Sequence, residues 1–139
     1  MLRVLIPVDG SENANRVVGF VIRKAPLYKE PLEIHLLNAQ HSFPGTIRGV
    51  HKEAEQAHHE AGLKALAAAR KQLDDAGVKY TYHISVGEAA EVIAHYVGAK
   101  KIEQIVMGTR GAGPVASMVL GSVATKVLHL VKTPVLLVK

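Results

Sequence analysis

Five short apolar runs alternate with stretches of helical spacing along this chain. Residues 2–8 (LRVLIPV) are β-branched and aliphatic and stop at Asp9-Gly10-Ser11, which predicts a strand and a turn. Ser11 or Asp9 can cap a helix starting near Glu12. Val17, Val18, Val21, Ile22 and Ala25 recur there at helical spacing, and Pro26 ends the helix. Pro31 opens a second strand over 32–39 (LEIHLLNA), and residues 40–49, with Ser, Pro and two Gly, read as a loop. A long helix is predicted over about 50–76, with Ala54, Ala57, Ala61, Ala65 and Ala68 as one stripe and Leu66, Ala69, Leu73 and Ala76 beside it. Gly77 suits its C-cap.

Residues 78–86 (VKYTYHISV) alternate and are rich in β formers, giving strand three. A helix follows from Gly87-Glu88 to about Val97, ended by Gly98, and residues 102–107 form strand four. A glycine-rich loop over about 108–115, a helix over 117–131 and a fifth strand over 134–138 complete the chain. Strands alternating with helices predict a doubly wound α/β fold: a five-stranded parallel sheet with right-handed crossovers and helices on both faces. The composition agrees. Apolar residues make up 48%, drawn from Val, Leu, Ile and Ala rather than aromatics, which suits strands hidden on both faces. The 139 residues correspond to one ordinary domain, with no internal repeat. In such sheets ligands sit beyond the carboxyl ends of the strands, where the strand order reverses. The residues just after strands one, two and four are therefore the candidates.

Composition also excludes functions. The chain has no cysteine, which rules out disulfides, thiolate nucleophiles and Cys-based metal sites and favours a cytoplasmic location. We read no signal peptide and no membrane span in it. Net charge is +5, but residues 104–139 carry +4 and residues 1–103 only +1, because no acidic residue follows Glu103. A local positive excess suits a small anion. A nucleic-acid surface would show clustered Lys and Arg with aromatics, which this chain lacks.

After strand four the chain reads Met107-Gly108-Thr109-Arg110-Gly111-Ala112-Gly113-Pro114, then Leu120-Gly121-Ser122. Glycines permit positive φ and close approach of backbone to ligand, and successive N–H groups in such a turn form an anion site. A plain strand-to-helix turn is the competing reading. The position after a strand, the acid-free surroundings and the expected placement of Gly121 inside a helix weigh towards an anion site, since helical Gly costs about 1 kcal/mol. Two familiar phosphate motifs fail. The P-loop needs a lysine before its Ser, and here Gly121 precedes Ser122 directly. The dinucleotide fingerprint is met only loosely by Gly111, Gly113 and Ala116, and no acidic residue follows for a ribose.

The pattern that fits is Gly108-x2-Gly111-x9-Gly121-Ser122. It resembles the nucleotide-binding signature of the ATP-binding universal stress proteins. The opening VLIPVDGSENA and the closing LGSVATKVLHLVKTPVLLVK are similar to that family's ends, so the resemblance spans essentially the whole chain. It implies a sheet ordered 3-2-1-4-5, as in the adenine nucleotide alpha hydrolase-like folds, and a nucleotide-dependent regulator in stress response with ATP bound between strands one and four, with or without Mg²⁺ or Mn²⁺. Pro7, Val8 and Asp9 match the family's base and ribose contacts, and Ala39 a position that contacts adenine. Met107 and Gly108 start the phosphate loop; Gly111, Gly121, Ser122 and Val123 match phosphate contacts. It also implies a homodimer paired through strand five, whose apolar edge invites pairing. The sequence departs from the family at Asn38-Ala39, where His-Val is common, and in lacking a basic residue within 113–116.

Other constellations point less far. Asp9 can accept a ribose or base hydrogen bond or help hold a metal on the phosphates; alternatively it is a helix cap or Asx-turn residue. His51, His58 and His59 share a helix but lack the i,i+4 spacing of two ligands on one face, so a solvated or interface face is the expectation. His35, His83, His95 and His129 read as structural or surface. No Ser stands in a nucleophile-elbow context and no carboxylate pair flanks the glycines, which argues for binding over catalysis. A slow ATPase or phosphotransferase, and a dimeric module without nucleotide, stay open as alternatives.

Overall fold

Leu2–Pro7 forms the first strand, β1, and the chain leaves it through Val8, Asp9 and Gly10 into a helix, α1 (Glu12–Lys24). Ser11 is the cap: its Oγ accepts from the Ala14 amide at 3.2 Å. Arg23 and Lys24 in the last turn oppose the negative end of the helix dipole, and a short 3₁₀ turn with Pro26 closes it. Strand β2 (Leu32–Gln40) follows, then α2 (His51–Asp75), β3 (Tyr80–Val86), α3 (Ala89–Lys100), β4 (Gln104–Gly108), α4 (Ser122–Leu130) and β5 (Val135–Val138). The computed structural model describes residues 1–41, 51–110 and 120–139. The expected loop over 42–49 lies outside them, as do Gly111, Gly113, Pro114, Ala116 and the expected helix start at Ser117.

All strand pairs are parallel and the sheet order is β3-β2-β1-β4-β5. The anticipated order and class are thus what the chain adopts. Each face has its own core. On one, Val4, Ile6, Val8, Ile34, Leu36 and Val106 pack beneath α1 and α2. On the other, Leu5, Leu37, Ile105 and Met107 pack beneath α3 and α4. Neighbouring strand residues point to opposite faces, so a strand covered twice must be apolar at every position. LRVLIPV and LEIHLLNA meet that demand except at Arg3 and Glu33, which lie near the strand starts and are not buried, and at the buried His35 and Asn38.

The structure decides which face of α2 is buried and corrects two expectations. The alanine stripe of α2 is not its buried face: Ala57, Ala61 and Ala68 are exposed, while His58, Gly62, Leu66, Ala69 and Leu73 are buried. Two leucines bury far more apolar area than a row of methyl groups, and they set the rotation of the helix. Helix α3 does not stop at Gly98 but continues to Lys100. No atom crowds Gly98, and the stop comes at Lys101, left-handed at φ +53°, whose amide bonds to the Val97 carbonyl. Gly121 is not inside a helix: it is the N-cap of α4, where glycine is acceptable.

Candidate functional site

At the carboxyl edge of the sheet, β1 lies between β2 and β4, and the chain leaves β1 and β4 towards opposite faces. That divergence opens a crevice at the reversal of strand order. Val8 is buried, and its amide still donates to the Leu37 carbonyl at 2.8 Å, the last rung between β1 and β2. Asp9 is exposed, and its Oδ1 accepts from the Ser11 amide at 2.9 Å. The Asx-turn reading of Asp9 therefore holds for this oxygen, while Ser11 supplies the cap. Gly10 has φ +87°, and a Cβ there would lie 3.3 Å from the Ala65 Cα, so a side chain at this turn would be both strained and pressed against α2.

Ala39 presents a backbone edge to the crevice. Strand residues alternate which neighbour their N–H and C=O face. Leu37 accepts from Val8 on the β1 side, and Gln40 accepts from Gly87 on the β3 side at 2.8 Å. Ala39 therefore faces β1, beyond the point where β1 ends. The Val8 carbonyl, which would continue the ladder, is instead bonded by Asn38 Nδ2 at 2.8 Å. Just past β2, His58 Nε2 donates to the His41 carbonyl at 3.1 Å. His58 is thus buried and ties α2 to the chain leaving β2, where a solvated or interface face was expected for it; His59 is exposed. Among the described residues no three His, Asp or Glu side chains group as a metal site.

Across the crevice, Met107 is buried and Gly108 ends β4. A Cβ on Gly108 would sit 3.1 Å from the Arg110 carbonyl oxygen, so the chain folds back tightly there. The Thr109 amide donates to the Val138 carbonyl at 3.1 Å, and the Thr109 carbonyl accepts from the Gly121 amide. The start of α4 is thereby pinned beside the end of β4. Among the described residues no side chain caps α4. The first amides of a helix have no partner within it, so those of Ser122, Val123 and Ala124 carry the positive end of the helix dipole.

Pro7, Val8, Asp9, Ala39, Met107, Gly108, Gly121, Ser122 and Val123 thus all lie at one edge of the sheet, from four separate stretches of chain; Gly111 lies outside the described residues. Reading the sequence missed Asn38 and Gln40 as working parts. The available signal was an amide-bearing residue at the end of an otherwise apolar strand run.

A model of the universal stress protein family matches residues 1–139. Universal stress protein MJ0531 of Methanocaldococcus jannaschii is 29% identical over 138 residues, covering 99% of this chain and 81% of the relative. A universal stress protein of Thermus aquaticus is 31% identical over 141 residues, covering 98% and 97%. Among solved structures, protein MJ0577 of M. jannaschii is similar at TM-score 0.82 and 26% identity, covering 99% of this chain and 94% of that one. A universal stress protein in complex with cAMP shares the fold at TM-score 0.72 and 21% identity, with 99% and 97% covered. An Arabidopsis thaliana family protein with AMP bound does so at 0.70 and 20%, with 100% and 92% covered.

Proposed function

Since the chain belongs to the universal stress protein family, we propose that it is a nucleotide-dependent regulator in stress response that binds ATP in the crevice between β1 and β4. One observation carries this reading: the Ala39 backbone edge on one side of the crevice stands opposite an uncapped helix start on the other. A base with an adjacent acceptor and donor complements an amide and a carbonyl. Phosphates complement the amides of Ser122 and Val123. The cAMP and AMP held by two proteins of this fold share an adenine base, which supports the same class of ligand here. The acid-free stretch after Glu103 favours a polyphosphate over a neutral nucleoside. Asp9, exposed at the end of β1, is placed for a ribose hydroxyl or for a Mg²⁺ or Mn²⁺ ion on the phosphates.

The proposal has residues 1–139 act as one domain, in the cytoplasm, as a homodimer joined through β5. In the described residues no helix is long and apolar enough to cross a membrane. Titration calorimetry with ATP, AMP and cAMP, with and without Mg²⁺, tests the ligand. ATP should bind, and more tightly than AMP. A protein that takes up no adenine nucleotide at millimolar concentration would refute the reading.

A further inference from the structure

Asn38 lies at the end of an apolar strand run and is only 1% exposed. A carboxamide buried so deeply is unfavourable unless its polar atoms are met. Here both ends are engaged. Nδ2 donates to the Val8 carbonyl at 2.8 Å, and Oδ1 accepts from Gln40 Nε2 at 2.7 Å. A carbonyl oxygen only accepts, so the end facing Val8 is the amino end. The Gln40 contact holds the amide that way round.

The Val8 carbonyl is the acceptor that a continued ladder between β1 and β2 would offer to the Ala39 amide. The rung before it, Val8 N–H to Leu37 O, is in place at 2.8 Å. The next rung is made by a side chain instead of by backbone. The N–H and C=O of Ala39 consequently stay unpaired among the described residues, facing the crevice.

We infer that Asn38 is a positioning residue for the nucleotide base. By occupying the Val8 carbonyl it keeps the Ala39 edge available to a purine with an acceptor at N1 and an amino group at C6. Gln40 acts through Asn38, by fixing its orientation. This inference rests on the nucleotide reading above and adds the device that opens the base subsite.

The test couples Asn38 to the base edge. Affinities of the wild type, Asn38→Leu and Gln40→Ala are measured for AMP and for purine riboside 5′-monophosphate, which lacks the 6-amino group. In the wild type, loss of the amino group should weaken binding roughly three- to tenfold, the range of one hydrogen bond. In Asn38→Leu the Val8 carbonyl is released to pair with Ala39, so AMP binding weakens and the ratio between the two ligands falls towards one. Gln40→Ala should give an intermediate ratio. A merely structural role would weaken both ligands alike and leave the ratio unchanged, which would overturn the inference. Amide exchange of the wild type gives a second readout that needs no variant to fold. The Ala39 amide should exchange faster than that of Leu37 in the free protein and slow on adding AMP. An Ala39 amide already protected without ligand would overturn the inference. A wild type that binds neither AMP nor ATP would remove the nucleotide reading itself, and this inference with it.

Discussion

The amide of Gly121 donates to the carbonyl of Thr109, so the first turn of α4 is anchored to the residue that follows β4. The anchor uses the N-cap's own amide and leaves the next three without a side-chain cap. Most helix starts place Ser, Thr, Asp or Asn here because their side chains satisfy those amides. In this chain Ser11 does this for α1, and Glu88, outside that set, does it for α3 with Oε1 and Oε2, which accept from Ala90 and Glu91 at 3.2 and 3.1 Å. Among these three helix starts the exception is α4, beside the crevice.

That exception gives a prediction with two opposite signs. Gly121→Asp should cap α4 and raise stability by a few tenths of a kcal/mol. It should also place a carboxylate where phosphates are proposed to sit and lower ATP affinity more than tenfold. Urea unfolding and calorimetry on the same variant read the two effects. A variant that is stabilised and still binds ATP normally would exclude the start of α4 from the phosphate site.

Gly62 sets how closely α2 approaches the sheet. A Cβ there would meet the Ile84 side chain at 2.6 to 2.8 Å. Replacing a helical glycine by alanine normally gains up to about 1 kcal/mol, whereas overpacking costs about 1–3 kcal/mol. The clash should win, making Gly62→Ala destabilising by about 1 kcal/mol. In an Ile84→Ala background the clash is gone and the same change should become neutral or stabilising. Urea midpoints of the four proteins form the cycle, and additive effects would show that the contact does not limit the packing.

Glu33 links pH to stability. Its hydrogen bond to His35, opposed by partial desolvation and aided by the charges of His35 and Arg3, holds its carboxyl below the usual carboxylate range. The contacts are Glu33 Oε2 to His35 Nε2 and to Arg3 Nε, each at 3.2 Å. A carboxyl lowered in the folded state stabilises the fold above the unfolded pKa, and the contribution is lost as pH falls through the folded value. Glu33→Gln should therefore lower the urea midpoint at neutral pH, with the gap to wild type closing below about pH 4. A gap that does not depend on pH would mean that the carboxylate charge is not involved.

The fourth prediction concerns assembly. Strand β5 is an edge, and Val135, Leu136, Leu137 and Val138 are all half-buried. Leu136 shares a groove with Phe20, Lys24, Leu27 and Tyr28, and Leu27 is 74% exposed. An apolar edge of this kind pairs readily with a second copy. Sedimentation should show a dimer for the wild type and a monomer for Leu136→Lys. A wild type that is monomeric at micromolar concentration would refute pairing through β5.

The fold was legible because its signals are local. Runs such as LRVLIPV report burial on both faces, and Asp9-Gly10-Ser11 reports a turn through residues that need no distant partner. Chirality then leaves few ways to connect parallel strands through helices. The glycine spacing was legible for the same reason, and with the resemblance it brought the strand order too. Which face of α2 is buried was not legible, because a stripe of alanines and a row with Leu66 and Leu73 both have helical period. Only packing against Ile34 and Leu36 chose between them.

By itself the sequence determined five strands, four helices, their alternation and a glycine-rich stretch after the fourth strand. Tertiary structure alone decided that Asn38 takes the Val8 carbonyl, that Gly121 is tied to Thr109, and that His35 is buried against Tyr96 with Nδ1 2.8 Å from its hydroxyl. The physical reason is range. Strand and helix signals repeat every two or 3.6 residues and can be read within a short window. A hydrogen bond between residues 30 or 61 positions apart exists only once the sheet has closed, and its partner is chosen by register, not by sequence spacing.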